Sequence, residues 1–434
     1  MSTALRLPTL LLLVSAAAPL AVSPEAPSGF EEPITPVLQA QDDLLARARR
    51  LHAEVPLIDG HNDCPWEVRE RAGGDLSKLD LSTPQPSLHT DLARLRAGGV
   101  GAQFWSVYIP ATLAGDAAVT ATLEQIDIVH RMVRRYPQQL ELALTASDIE
   151  RIHKAGKVAS LIGMEGGHSI GSSLGALRMF FQLGARYLTI THGLNVPWAD
   201  SATDKPAHDG LTPFGREVIR EMNRLGMLVD LSHVSPATMH DVLAVAEAPV
   251  IFSHSSTRAL VDVPRNVPDD VLRKLPANGG VVMVSFVPDF TSREMAVWSE
   301  AEERESARLT ALSPGDAAKV KAELARWRQA NPPPRATLAQ VADHIDHVRK
   351  VAGIDHAGIG SDFDGITRTP IGLPDVGSFP ALTAELLRRG YSEADAKKVL
   401  GLNVLRVMRR AEEAAARLQA SRQPSTARIG DLDK

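Results

Sequence analysis

In this 434-residue chain, ligand-type side chains recur at the ends of short apolar runs. They stand in Asp59-Gly60-His61-Asn62-Asp63, Gly163-Met164-Glu165-Gly166-Gly167-His168, Asp230-Leu231-Ser232-His233, Phe252-Ser253-His254 and Gly360-Ser361-Asp362-Phe363-Asp364-Gly365. Imidazole nitrogens and carboxylate oxygens are the donors that Zn²⁺ prefers. In His61-Asn62-Asp63 the outer residues are two apart, so in an extended segment both side chains project to one side and can grip one cation. Glu165, followed by two glycines that allow a sharp turn, is a carboxylate placed to bridge two metals. His233 and His254 end consecutive runs and become neighbours on one rim. A lone His-X-Asp or two isolated histidines would be ordinary turn or core residues. Recurrence at four run ends points instead to a metal-dependent hydrolase.

Something must bring those run ends together. Eight apolar or β-branched runs lie at about 55–59, 100–107, 158–163, 186–191, 227–232, 249–253, 280–286 and 356–361. Between most of them the apolar period becomes helical, as in Leu174 to Leu183, Phe214 to Leu225, Leu338 to Ala352 and Phe379 to Arg389. Ser235-Pro236 supplies a helix N-cap followed by proline at the first position, and Gly226 and Gly390 are C-cap candidates. Strand then helix, repeated eight times, predicts an α/β fold, a TIM-like (β/α)8 barrel carrying a binuclear metal site on its C-terminal rim.

The domain plan follows. Residues 1–23 read as a cleavable export signal: Arg6, an apolar run from Leu7 to Val14, then small residues. That stretch is too short for a bilayer span and is broken by Pro8 and Pro19, so an exported, soluble protein of the periplasm or the medium is expected, without a stable membrane anchor. Residues 24–40 are expected to be a flexible lead-in and 41–420 the barrel, with a helical insertion at 291–335. Residues 421–434 are expected to be a disordered tail. The last helix is expected over about Glu393 to Leu418. With 44% hydrophobic and 23% charged residues and a net charge of -5, composition gives no sign of a nucleic-acid or membrane-surface partner. Cys64 is the sole cysteine, so no internal disulfide supports the fold.

From Pro56 to Arg409 the chain resembles the membrane (renal-type) dipeptidases, zinc metallopeptidases among the metal-dependent hydrolase barrels. The resemblance rests on the rim motifs above together with Gln103-Phe104-Trp105-Ser106-Val107-Tyr108, Leu188-Thr189-Ile190-Thr191-His192, Asn195-Val196-Pro197-Trp198-Ala199-Asp200-Ser201 and Arg265-Asn266-Val267-Pro268-Asp269-Asp270. It implies two Zn²⁺ per chain: His61 and Asp63 on one, His233 and His254 on the other, with Glu165 and a water or hydroxide bridging them. It also implies that His192 faces the substrate and that Arg265 receives the substrate carboxylate. Asp362 takes the place of the acid that handles the proton, and a homodimer is suggested. Departures are Phe290, where mammalian members carry a substrate-contacting tyrosine, and Cys64, where an apolar residue is usual.

The expected activity is hydrolysis of dipeptides by metal-activated hydroxide, with Asp362, His192 and Glu165 catalytic and with Arg265, His192 and Asp362 contacting substrate. The alternatives are a related binuclear amidohydrolase acting on N-acyl amino acids or other small amides and esters, and an inactive exported metal-binding protein. His168 and Asp364 are read as supporting residues, and Trp198 and Asp200 as loop scaffolding. His52, His89, His153, His208, His240 and the histidines at 343 to 356 are assigned surface or helix roles.

Overall fold

The computed structural model describes residues 36–433; the expected export signal, and the expected lead-in as far as residue 35, lie outside the described residues. A helix runs over Pro36–Glu54, beginning within the expected lead-in. Among the described residues no helix is long and apolar enough to cross a membrane.

Nine strands follow in chain order: β1 (Leu57–Asn62), β2 (Val100–Tyr108), β3 (Leu140–Leu142), β4 (Val158–Glu165), β5 (Ala185–Thr189), β6 (Leu228–Asp230), β7 (Ile251–Phe252), β8 (Val281–Val284) and β9 (Ala357–Ile359). All pair in parallel. Eight of them close a ring in the order β1-β2-β4-β5-β6-β7-β8-β9, with β1 returning to β9 through Asp59 and Ile359. This is the closed (β/α)8 barrel. The eight expected runs supply its staves; β3, a three-residue strand beside the start of β4, was not expected. It is too short to carry a periodic signal.

Alternation along the staves sorts two cores. Ile58, Phe104, Leu161, Tyr187, Leu228, Ile251, Val281 and Met283 share one cluster with Val404, Leu405, Val407 and Met408, so the last helix plugs the barrel floor. Their chain neighbours Leu57, Trp105, Ile162, Leu188, Val229, Phe252 and Val282 pack outward against the helices. The floor element is one helical run, Glu393–Lys397, a π-turn over Lys398–Leu402 and Asn403–Ser421. Signals in the sequence hold locally: Ser235 accepts the Thr238 amide at 3.2 Å, and Gly226 adopts φ 81 at a helix C-cap.

The stretch 291–335 forms helices Arg293–Leu312 and Ala317–Ala330, whose Trp298 and Trp327 rings meet at 5.6 Å. The indole N–H of Trp298 donates to the Asn331 carbonyl at 2.8 Å, and Arg368 from the rim lies over its ring at 4.9 Å.

The tail departs from expectation. Residues 422–433 run along helix Pro213–Leu225 rather than being disordered. The Ser425 amide donates to Glu221, and Asp433 accepts the Thr212 hydroxyl at 2.6 Å and the Phe214 amide at 2.9 Å. A carboxylate at a helix N-terminus satisfies donors the helix itself leaves open, a gain that composition does not reveal.

Three histidines assigned helix or surface roles are buried, His52, His344 and His356. The Nδ1–H of His52 donates to the Gly98 carbonyl at 2.9 Å, and His344 Nδ1 accepts the Thr257 amide at 3.0 Å. Burial holds both near pKa 4, below the ordinary 6.5. Between these values the unfolded chain binds the extra protons, so stability is complete above pH 6.5 and is lost as pH falls toward 4. Denaturant titrations should show this decline, on the order of 3 kcal/mol per group. His344→Gln should be less stable at neutral pH but flatter in that window; a slope identical to wild type would remove His344 from this role.

Candidate metal centre

The site is assembled at the carboxyl ends of the staves. His61 lies within β1 and Asp63 just after it, Glu165 ends β4, and His192, His233 and His254 sit in the turns leaving β5, β6 and β7. Asp362 follows β9, and Arg265 lies on the segment after β7. His233, Asp362 and Asp364 have φ of 70°, 65° and 65°, left-handed conformations that cost non-glycine residues energy and cluster at working sites.

Glu165 is the hub. It is 4% exposed, and its Oε1 lies 3.0 Å from His233 Nε2, 3.5 Å from His254 Nε2 and 3.8 Å from His192 Nε2. Its Oε2 lies 3.5 Å from His61 Nε2, which is itself 3.2 Å from Asp63 Oδ2. The His61 and His254 rings approach to 4.0 Å between centroids, and the Nε2 atoms of His233 and His254 are 2.9 Å apart. Three overlapping sets (His61, Glu165, His254; Glu165, His192, His233; and His61, Asp63, Asp362) each place their ligand atoms within 4.8 Å of one another. All the residues expected to hold metal therefore meet at one place, and the second set adds His192, expected to face substrate.

Ring nitrogens are aimed by partners that the sequence reading did not name. The Tyr187 hydroxyl lies 3.2 Å from the Gly60 carbonyl and 2.8 Å from His61 Nδ1. A carbonyl can only accept, so the single Tyr187 proton goes there and His61 must donate from Nδ1, which leaves the Nε2 lone pair facing the cluster. Ser253 repeats the device: its hydroxyl donates to Asp230 at 2.6 Å and accepts from His254 Nδ1 at 2.8 Å. Asp230 also accepts the Ser232 and Ser253 amides and the Thr189 hydroxyl. Room for Tyr187 comes from Gly163 on the neighbouring stave, where a Cβ would fall 2.0 Å from the tyrosine ring. No motif spans Gly163, Tyr187 and His61; an Asp at the end of a strand run, Asp59 two residues before His61 and Asp230 three before His233, was the available signal.

The electrostatics call for a cation. Burial alone would lower His61, but Tyr187, Glu165 and Asp63 outweigh it and raise it well above the ordinary imidazole value. Its Nε2 is buried without a hydrogen-bond partner among the described residues. Burial drives His233 and His254 well below the usual range, so both are neutral donors. Burial opposes ionised Glu165 as well, yet His61 and His192 hold it well below its ordinary value. An unsatisfied nitrogen, neutral imidazoles and an ionised carboxylate converging on one point are what a divalent ion requires.

A cavity of about 700 Å³ opens over the cluster. Asp63, Glu165, His192, His233, His254, Arg265 and Asp362 line it, with Phe290 and His89. Arg265 is 6% exposed, its guanidinium 5.1 Å over the Phe290 ring, and although burial lowers it to about 10 it stays charged at neutral pH. Burial, against the pull of His61 but helped by Asp63 and Glu165, pushes Asp362 well above the carboxylate range. Cys64 is buried and its thiol is raised well above its usual value, first by burial, so it is unreactive packing. His168 lies 3.3 Å from the Ile109 carbonyl, and Asp364 accepts the His89 amide at 2.5 Å. Asp200 accepts amides within its own loop, those of Ala207, His208 and Gly210. His89, assigned a surface role, instead lines the cavity.

Tyr187→Phe removes the proton acceptor of His61 while keeping the ring. Metal affinity measured by chelator competition should weaken on the order of tenfold, with thermal unfolding of the metal-free protein little changed. Equal affinity would mean that the tautomer is fixed by other groups.

Residues 45–422 match the family model for membrane dipeptidase, peptidase family M19. The chain is 43% identical over 398 residues to "Dipeptidase verJ" of Clonostachys rogersoniana, covering 89% of this chain and 92% of that protein. It is 39% identical over 408 residues to "Dipeptidase ataJ" of Aspergillus terreus, covering 88% and 90%. The crystal structure of the probable dipeptidase PvdM from Pseudomonas aeruginosa superposes with a TM-score of 0.75 at 28% identity, covering 86% of this chain and all of that one. The chain thus belongs to the membrane dipeptidases of peptidase family M19, metal-binding hydrolases of the metallopeptidase class.

Proposed function

We propose that the protein is an exported zinc-dependent dipeptidase that cleaves the one peptide bond of a dipeptide. The observation that carries this reading is Arg265: a buried guanidinium, charged and in no ion pair among the described residues, lining the cavity that contains the ligand cluster. A planar guanidinium fork matches a terminal carboxylate. With that carboxylate held, the peptide carbonyl one residue inward lies over Glu165, and a longer chain would put its terminal carboxylate out of register.

His61 and Asp63 would hold one zinc, His233 and His254 the second, and Glu165 would bridge them. When bound, the pair supplies an activated water as nucleophile near neutral pH. The protein's own groups account for the other steps. Arg265 orients the substrate. His192, whose pKa burial lowers, is a neutral imidazole that donates a hydrogen bond to the oxygen developing negative charge, a contribution of a few kcal/mol for a well-aimed donor. Asp362, which lines the cavity beside His61 and Asp63, takes the proton released by the attacking water and returns it to the leaving amine nitrogen.

Purified protein should release free amino acids from dipeptides, lose this activity on chelation and regain it with zinc, while leaving tripeptides intact. Preferred cleavage of N-acetyl amino acids would transfer the same metal site to the amidohydrolase alternative. Zinc-loaded protein that turned over neither would be a binder. Arg265→Ala should cost about 2–5 kcal/mol in kcat/KM, expressed mainly in KM. An unchanged KM would remove Arg265 from carboxylate binding.

A further inference from the structure

The carboxylate clamp fixes how a dipeptide lies, and this inference rests on the dipeptidase reading. Arg265 follows β7, and in the eight-membered ring the stave opposite β7 is β2. A substrate with its carboxylate on Arg265 and its scissile bond over Glu165 therefore presents its N-terminal side chain toward β1 and β2. On that side the cavity wall includes Trp66, Glu67 and Arg71 from helix Cys64–Ala72, Ser87 and His89 from the following loop, and Tyr108 at the end of β2. None of these is aliphatic, and Ile366, two residues from the Asp364 that holds His89, is the one aliphatic neighbour there among the described residues.

Two of these groups present donors. Arg71 is ion-paired through its Nε to Glu67, one helical turn earlier. A guanidinium carries five N–H bonds in a planar fork, so the terminal nitrogens of Arg71 can donate into the cavity. His89 is held by the Asp364 backbone, whose amide donates to its Nδ1 at 3.0 Å. That bond puts the ring proton of a neutral His89 on Nε2, where it is a donor. Between the barrel and this rim, Trp66 and Tyr108 meet edge to face at 4.7 Å and 86°, an apolar corner against which a methylene stem can lie.

We propose that this wall is the subsite for the N-terminal side chain and that Arg71 and His89 select residues ending in a carbonyl or carboxylate oxygen, glutamine and glutamate, over aliphatic residues of the same length. An aliphatic chain there would strip water from both donors and return no hydrogen bond, and sites built to donate discriminate strongly against ligands that cannot accept.

The test compares kcat/KM for Gln-Ala with that for Met-Ala, similar in length and stem, on a single preparation of zinc-loaded enzyme, with Ala-Ala as reference. Both substrates meet the same active fraction, so partial unfolding of a variant cancels from their ratio. Wild type should prefer Gln-Ala by about tenfold or more. Arg71→Met should bring that ratio toward one, and Arg71→Lys, which keeps a donor, should retain part of it. Met-Ala cleaved as well as Gln-Ala by wild type, or a ratio unchanged in Arg71→Met, would remove the subsite while Ala-Ala hydrolysis kept the peptidase reading. Failure of all three dipeptides would overturn the reading and the subsite together.

Discussion

Glu165 is a carboxylate almost wholly removed from water and placed between four imidazoles, and the arrangement of the rim answers to that burial. Taking an ionised carboxylate out of water costs several kcal/mol unless opposite charge and hydrogen bonds replace the lost hydration. Apart from the imidazoles, the described residues of the rim offer a long Ser106 hydroxyl contact at 3.4 Å. Positive charge must therefore come from protonated imidazole or from bound cations. Asp63 and Asp362 sharpen the demand, because like charges at such spacing resist ionising together. The cluster is a poor place for a protein to put its side chains and a good place for divalent metal.

That cost is tolerable because the scaffold leaves the donors little freedom. A closed ring of parallel staves, buried on both faces, places successive strand ends at fixed spacing around a rim. Outer partners then set the rotation of each ring: Tyr187 for His61, and Ser253 with Asp230 for His254. Asp59 does comparable work on the segment carrying Asp362. It accepts the Ser361 amide and hydroxyl at 2.6 and 2.7 Å, and burial raises it to about 6 despite those bonds. The left-handed backbone at His233 and Asp362 is the strain such pinning sustains.

Access to the cluster is set by segments outside the ring. Phe290 gives Arg265 a ring face to lie against and no hydroxyl to bond, so the guanidinium is held by packing and by weak contacts to the Ser255 hydroxyl and His254 carbonyl at 3.5 and 3.4 Å. The helical pair over Arg293–Ala330 touches the rim through Trp298 and Arg368, next to Ile366 and Thr367 of the cavity wall. The C-terminal segment reaches the same end of the molecule, where Asp433 ties the N-terminus of helix Pro213–Leu225 that follows the His192 loop.

The sequence by itself determined the barrel and the places of its candidate ligands. Staves buried on both faces must be apolar, and only a few residue types can hold a divalent ion, so both constraints are written as local pattern: eight apolar runs, and His61, Asp63, Glu165, His233 and His254 at their ends. Other features depend on which segments become neighbours, and no local pattern carries that. The hydrogen bond from His61 to Tyr187 spans 126 residues and exists because Gly163 leaves space on the adjacent stave. Asp364 and His89 lie 275 residues apart, which is why His89 read as a surface histidine and is part of the cavity. The tail read as disordered because its composition is polar, and it is ordered because Glu221 and the Thr212 helix start offer partners far upstream. Local chemistry selected the candidate ligands; packing between distant segments decided their tautomers, their strain and the shape of the space above them.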